Sequence, residues 1–356
     1  MMPKLTVTPR LEVTRRATLT VTLLAYVASP LVVLAVLAGA GKSPFVALDA
    51  LYRGTIGTIP GFAESLVQAT PLMLLAAGLV IAFKAKVWNI GAEGQQVFGS
   101  ILVTWLVLSL PKPALPGYLV IPAALAFSFI GGGLFAAVPA LMRSKLGINE
   151  VITTIMMNYL AIDALNWLVR GPFQDKSIPG SYPESPVFPE QYSLPLIFRQ
   201  STVTIGIIIS VISCIVVYYF MFKTPLGYSI RAVGLNPSAA RTSGILVDRV
   251  VNLAMILSGG LCGLGGGVYI LGVAHELVPG QASGIGYTAV VVSLLGNVHP
   301  LGVIFASIFF GGLISGMSSV ERALQIPETL ALLSQGIIIV LILVIQIFAK
   351  YEIKMK

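Results

Sequence analysis

Apolar runs long enough to cross a lipid bilayer recur along this chain, and no other feature limits its fold as severely. A spanning helix needs roughly 20 mostly apolar residues, and inside lipid its backbone groups must be satisfied within the segment itself. Runs of that order lie near Leu19 to Leu37, Leu66 to Phe83, Val97 to Leu110, Tyr118 to Met142, Val151 to Val169 and Thr202 to Phe222. Others lie near Val250 to Val273, Ile285 to Leu295, Leu301 to Ser315 and Leu330 to Ala349. The pattern predicts an all-α polytopic membrane protein with about ten spans. The shortest, Ile285 to Leu295, is re-entrant or broken by Gly284, Gly286 and Gly296. Apolar residues make up 56% of the chain and charged residues 10%, which excludes a soluble globular domain.

The net charge of +8 would suggest a nucleic-acid partner in a soluble protein, but here its placement matters more than its size. With the N-terminus inside, about two thirds of the Lys and Arg residues fall on the inner side. They include Lys84, Lys86, Arg143, Lys145, Lys223, Arg231, Arg241 and Arg249, together with the basic residues at both chain ends. Lys42, Arg53, Lys112, Arg170, Lys176, Arg199 and Arg322 fall opposite. This bias predicts both termini in the cytoplasm. The basic leader is long and the first apolar run exceeds the apolar core of a signal peptide, so that run is expected to stay as an uncleaved span. Cys214 and Cys262 each sit within a span with no ligand neighbour and are expected to pack.

The loops are short, so a single membrane domain is expected to fill 1–356, with an outside loop at 171–200 and a cytoplasmic loop at 223–248. The outside loop carries Pro172, Pro179, Pro183, Pro186, Pro189 and Pro195, which disfavour regular structure and leave an ordered extended cap or a plain linker as readings. The cytoplasmic loop contains the polar island Lys223 to Ile245. Thr224 followed by Pro225 reads as a helix start, with Leu226, Ile230 and Val233 at helical spacing and Gly234 as its left-handed stop. Asn236 and Pro237 start a second short helix through Ala240 and Arg241, and Gly244 can end it. The island is either a docking handle or a solvated connection.

Polar residues at membrane depth are few. "GAGKS", Gly39 to Ser43, fails as a phosphate loop because Val36 stands where the first glycine belongs and a span precedes it. "NIGAEGQQ", Asn89 to Gln96, places Asn89, Glu93, Gln95 and Gln96 where Gly91 and Gly94 interrupt a helix. It reads either as a helix start or as a broken segment lining a pathway. Glu150, Thr154 and Asn158 recur every four residues and share a helix face, with Asp163 and Asn166 further along. His275 and Glu276 sit at an outer span end. The intramembrane glycines, such as Gly131 to Gly133 and Gly265 to Gly267, read first as close helix packing and second as sliding surfaces. With so few carboxylates at depth, an energy source outside this chain fits better than ion coupling. A self-sufficient secondary transporter is the competing class.

Several ordered blocks together resemble the permease subunits of ATP-binding-cassette importers of the sugar, branched-chain amino acid and nucleoside class. They are "SLVQATPLMLLAAGLVIAFKAKVWNIGAEGQ", "NEVITTIMMNYLA", "TPLGYSIRAVGLNPSAARTSGI", "GIGYTAVVVSLLGN" and "PLGVIFASIFFGGL". "NIGAEGQ" with "EVITTIMMNYLA" and the long outside loop looks most like the nucleoside-type permeases. The resemblance implies a multi-pass subunit of a prokaryotic plasma membrane with no catalytic site and no cofactor. It implies as partners a cytoplasmic ATPase, a second permease and an extracytoplasmic solute-binding protein. Carried over, Arg231, Gly234, Leu235, Asn236, Ala240, Arg241 and Gly244 form the ATPase-coupling surface, and the polar residues above line the pathway. Gly286, Tyr287 and Thr288 stand where nucleoside-type members commonly read Gly-Phe-Asp. The resemblance implies a neutral polar solute, first of all a nucleoside, and that departure keeps a simple sugar or a branched-chain amino acid as the alternatives.

Overall fold

The computed structural model describes residues 5–9, 31–110, 115–176, 182–197, 201–281, 284–344 and 351–355, apart from 33, 40, 328, 331, 332, 335, 339, 342 and 343 within these stretches. Residues 19–30 of the first expected span and part of the last, between 330 and 349, lie outside them. In chain order the named helices are α1 (Pro44–Tyr52), α2 (Ile59–Lys84), α3 (Ala92–Ser109), α4 (Gly117–Leu146), α5 (Glu150–Val169), α6 (Gly206–Lys223), α7 (Pro225–Leu235), α8 (Pro237–Thr242), α9 (Val247–Tyr269), α10 (Ile285–Leu295) and α11 (Pro300–Leu324). Wide turns follow α1 at Arg53–Gly57 and α9 at Ile270–Ala274.

Six of these, α2, α4, α5, α6, α9 with its turn, and α11, are long and apolar enough to cross a membrane among the described residues. The expected run at Val97 to Leu110 is the greater part of α3, whose first turn is polar. The run at Ile285 to Leu295 is the short helix α10, entered through a left-handed Gly284 (φ 82°). One feature departs from the helical expectation. Strand β1 (Leu5–Pro9) pairs antiparallel with β2 (Tyr351–Met355), Leu5 opposite Met355 and Pro9 opposite Tyr351, so the two chain ends lie side by side.

The chain divides into two compact units, one formed by residues 1–65 and 312–356 and the other by 66–311. In the first, the turn after α1 meets the second half of α11. The Ser315 hydroxyl donates to the Gly54 carbonyl at 2.8 Å, and the backbone of Gly54 passes so close to Ser319 that no side chain fits.

The second unit is built around α9, which packs chiefly on α4 and α3. Here backbone meets backbone. A Cβ on Gly132 of α4 would strike the Gly259 carbonyl, one on Gly263 of α9 would strike the Ser128 carbonyl, and one on Gly99 of α3 would strike Gly263. With no hydrophobic force to drive helices together in lipid, this close approach supplies the dispersion contact instead. At one end of the unit, residues 185–194 run along the turn after α9 and the residues that follow it. Leu194 N donates to Leu271 O at 2.8 Å, Phe188 N to His275 O at 2.8 Å and Ser185 N to Leu277 O at 3.0 Å. Phe188, Tyr192 and Leu194 are buried with Leu271 and Leu277 in one apolar cluster. This stretch of the proline-rich loop is therefore an ordered extended cap. Cys214 and Cys262 are both buried and free, as expected of packing residues.

Replacing Gly263 by Val should force α9 away from α4 and cost at least about 1–3 kcal/mol in thermal unfolding of the detergent-solubilised protein. Gly312→Ala, whose added methyl would stand 3.7 Å from Ser65 Oγ, should be neutral or stabilising by up to about 1 kcal/mol.

Candidate functional site

Between α2 and α3 the backbone leaves helical geometry. Lys86 takes a left-handed conformation (φ 53°), and the stretch from Val87 to Ile90 has no regular secondary structure before Gly91 (φ −85°, ψ 10°) caps α3. Amides that a helix would have satisfied must find other partners, and the neighbouring side chains supply them. Trp88 N donates to Glu150 Oε1 at 3.4 Å, Ile90 N to Thr154 Oγ1 at 3.3 Å and Gly94 N to Asn158 Oδ1 at 2.8 Å. Asn158 Nδ2 returns a bond to the Ile90 carbonyl at 2.9 Å. The shared face of Glu150, Thr154 and Asn158 on α5 is thus turned onto the irregular segment and the first turn of α3.

Asn89 is fully buried. Its side chain folds back to accept from Gly91 N at 3.0 Å and exchanges a reciprocal amide pair with Gln95, at 2.9 and 3.0 Å. It also donates to Ser258 Oγ on α9 at 3.0 Å. Glu93 reaches in another direction. Its carboxylate accepts from Gly284 N at 2.9 Å and, through the other oxygen, from Gly286 N. These amides open α10, so the carboxylate sits where the helix dipole favours negative charge. Glu93 caps a helix remote in sequence rather than the one it begins, which neither reading of "NIGAEGQQ" contained. Gly286 is obligatory there, since a Cβ would strike the Glu93 backbone. Tyr287 closes the cluster, its hydroxyl accepting from Asn158 Nδ2 at 3.1 Å.

Of the predicted pathway residues, the structure brings together Asn89, Glu93, Gln95, Thr154 and Asn158. Gln96 is buried nearby, its carbonyl against Gly266 of α9. Asp163 and Asn166 are not part of this cluster. Asp163 lies five residues beyond Asn158, well around the helix, and is exposed; Asn166 is half-buried. Sequence reasoning missed Ser258, Tyr287 and the two amides at the start of α10. Only the unusual Gly-x-Gly entry to α10 could have signalled the last.

The polar island forms the two capped helices its residues predict. Thr224 Oγ1 accepts from Gly227 N at 3.1 Å, and Asn236 Oδ1 accepts from Ser238 N and Ala239 N, both at 3.1 Å. Gly244 ends the second in a left-handed conformation (φ 83°). One local expectation is corrected. Gly234 is not a stop, because α7 runs on to Leu235 and ends at an extended Asn236. Gly234 is small because it abuts the Lys84 carbonyl, where a Cβ would collide. Leu226, Ile230 and Val233 all lie in α7 as their spacing predicts; Ile230 and Val233 are buried and Leu226 is half exposed. Ala240 is buried, while Leu235 is 82% exposed and Arg241 is exposed beside it. At the opposite end of α9, His275 Nδ1 lies 3.1 Å from Ser193 Oγ, and burial holds its imidazole below the usual range. Among the described residues no group of three or more His, Cys, Asp or Glu could hold a metal.

Residues 61–343 match the family described as "Branched-chain amino acid transport system / permease component". The chain belongs to that family. This permease is 31% identical to the glucose ABC transporter permease protein TsgB13 of Haloferax volcanii, covering 93% of this chain and 90% of that protein. It is 32% identical to the nucleoside ABC transporter permease protein NupB of Lactococcus lactis, covering 84% and 83% respectively. It is 30% identical to the guanosine ABC transporter permease protein NupP of Bacillus subtilis, over 88% of each chain. No solved structure matches it. The permease is a multi-pass subunit of an ABC importer in the plasma membrane, and its relatives are transport subunits rather than enzymes.

Glu93→Gln keeps the shape but gives up the charge at α10, and should cost about 1–3 kcal/mol in thermal unfolding in detergent. Asn158→Leu strands the Gly94 amide and the Ile90 carbonyl and should cost at least as much. Asp163→Asn should stay within about 0.5 kcal/mol.

Proposed function

We propose that this permease imports a nucleoside, and that the capped pair α7–α8 is where a partner ATPase engages it. The observation that carries the coupling role is the seating of Gly234 on the end of α2, which joins an exposed cytoplasmic surface to a buried spanning helix without slack. Exposed Leu235 and Arg241 present an apolar and a cationic contact to a partner, while Arg231, Asn236, Ala240 and Gly244 hold their geometry. Motion of the ATPase pair, driven by ATP, is transmitted through α7 into α2 and α6.

The pathway is assigned to the segment around Asn89, Glu93, Gln95, Gln96, Thr154 and Asn158, where side-chain amides already replace backbone partners. Exchange of those bonds for a neutral solute's hydroxyls and ring nitrogens changes no net charge. That suits a nucleoside and disfavours an ionic one. Two nucleoside-named relatives, similar over most of their length, support this solute. The glucose-named relative supports a second reading, a simple sugar, whose hydroxyls the same groups could bind.

Six clear spans, the two short apolar helices α3 and α10 and two apolar runs near the termini make up the proposed ten. The pairing of β1 with β2 supports an even number of crossings, and the basic-residue bias supports termini in the cytoplasm. The capped end of α9 then faces outward, toward a solute-binding protein, and a second permease completes the pathway.

Reconstituted in liposomes with its ATPases, second permease and binding protein, the complex should take up radiolabelled nucleoside only with ATP. Uptake by this chain alone on an ion gradient would overturn the reading, and uptake of glucose but not nucleoside would transfer it to a sugar. Gly234→Val should lower ATP-driven uptake by about tenfold or more while leaving binding of the solute-binding protein unchanged.

A further inference from the structure

Where α2 ends beside α7, basic side chains converge without a carboxylate. The Arg231 guanidinium lies over the Phe222 ring, 5.0 Å from its centroid. The rings of Phe222 and Tyr218 stand 5.3 and 5.7 Å from that of His299. Lys84, the last residue of α2, is within electrostatic reach of both Arg231 and His299. Burial, and then the Lys84 charge, hold the His299 imidazole below its usual range, so at neutral pH it keeps one N–H to donate.

Among the described residues the ion pairs are Arg53 with Asp49 and Arg143 with Glu150, and neither involves this cluster. Arg231 Nε is shielded from solvent and has no hydrogen-bond partner. Gly234 seats α7 directly on the Lys84 carbonyl, so the two side chains are rooted side by side. Two like charges held together in partial burial call for an anion. A guanidinium fork, an ammonium and a neutral imidazole N–H suit the oxygens of a phosphate better than a single carboxylate.

We propose that Lys84, Arg231 and His299 form a binding site for a phosphate group, filled by the headgroup of an anionic phospholipid. The choice of lipid rests on the cytoplasmic placement of α7 given above, which sets the cluster at the inner membrane edge. Trp88, half exposed next to Lys86, and exposed Tyr228 have the aromatic and basic character of that edge. The inner leaflet carries negative charge, and the acyl chains can lie along α6, whose outer face is apolar. Inorganic phosphate shares the headgroup's chemistry and is the alternative source. A lipid held here would tie the proposed coupling helix to the membrane surface, leaving Leu235 and Arg241 free for the ATPase.

The test uses the full chain purified in neutral detergent, with phosphatidylglycerol or phosphatidylcholine added and the retained lipid counted by native mass spectrometry. The wild type should retain phosphatidylglycerol about tenfold over phosphatidylcholine. Lys84→Gln combined with Arg231→Gln should abolish that preference, and Arg249→Gln, at an exposed site on α9, should keep it. Equal retention of the two lipids by the wild type, or a preference undiminished in the double variant, overturns the proposal. Inorganic phosphate that raises the wild-type melting temperature but not that of Arg231→Gln, without a lipid preference, overturns the lipid and leaves soluble phosphate as occupant. If the double variant is not monodisperse, Lys84→Gln and Arg231→Lys replace it, each expected to lower the preference about threefold. No decrease in either overturns the site. The readout needs neither ATP nor uptake, so it stands or falls apart from the importer reading.

Discussion

The broken backbone from Val87 to Gly91 is the constraint on which the 66–311 unit depends. Inside a helical membrane body, an amide without an intrahelical partner costs several kcal/mol unless another group bonds it. Three side chains on one face of α5 and a buried asparagine satisfy that segment. In doing so they fix the rotation of α5, and through Ser258 that of α9. Glu93 extends the same logic to the short helix α10, whose opening amides would otherwise be orphaned. A few polar groups thereby dock four helices, while the glycine contacts among α3, α4 and α9 set how closely they lie.

The same segment divides structural work from transport work. Nearly every polar atom of the cluster is already bonded within the chain, so the arrangement is a closed, satisfied one. On the proposed pathway, solute passage would trade internal hydrogen bonds for bonds to the solute, which favours a ligand that offers many donors and acceptors without charge. The capped helices α7 and α8 are arranged differently. Their buried side rests on the ends of α2 and α6, and their exposed side bears Leu235 and Arg241. In the proposed coupling role, a rigid joint of this kind would pass displacement from a partner to the spans without absorbing it.

Much of the fold was legible because the physics behind it is local or compositional. Apolar runs marked the helices, and Thr224, Pro225, Asn236 and Gly244 marked the caps, since a cap needs only residues within one turn. The four-residue spacing of Glu150, Thr154 and Asn158 declared a common face. What that face meets was not legible, because the partners lie more than 60 residues away and are backbone amides, which carry no sequence signature. Gly234 was misjudged for a related reason. A glycine at a helix end reads as a stop, and only the nearness of Lys84 reveals it as a contact. The antiparallel pairing of Leu5–Pro9 with Tyr351–Met355 joins the two most distant parts of the chain, beyond the reach of any local pattern.

By itself, the sequence determined that the chain is a helical membrane protein, where its capped helices α7 and α8 begin, and which few polar residues fall within or beside its apolar runs. Those properties follow from hydropathy, charge and short-range hydrogen bonding. Tertiary structure alone decided that Glu93 caps α10, that Asn158 joins α3 to Tyr287, that Asp163 stays outside the polar cluster, and that Lys84, Arg231 and His299 converge. Each of these depends on helix rotation and on contacts distant in sequence. Close backbone packing at Gly99, Gly132 and Gly263 sets how closely α3, α4 and α9 lie.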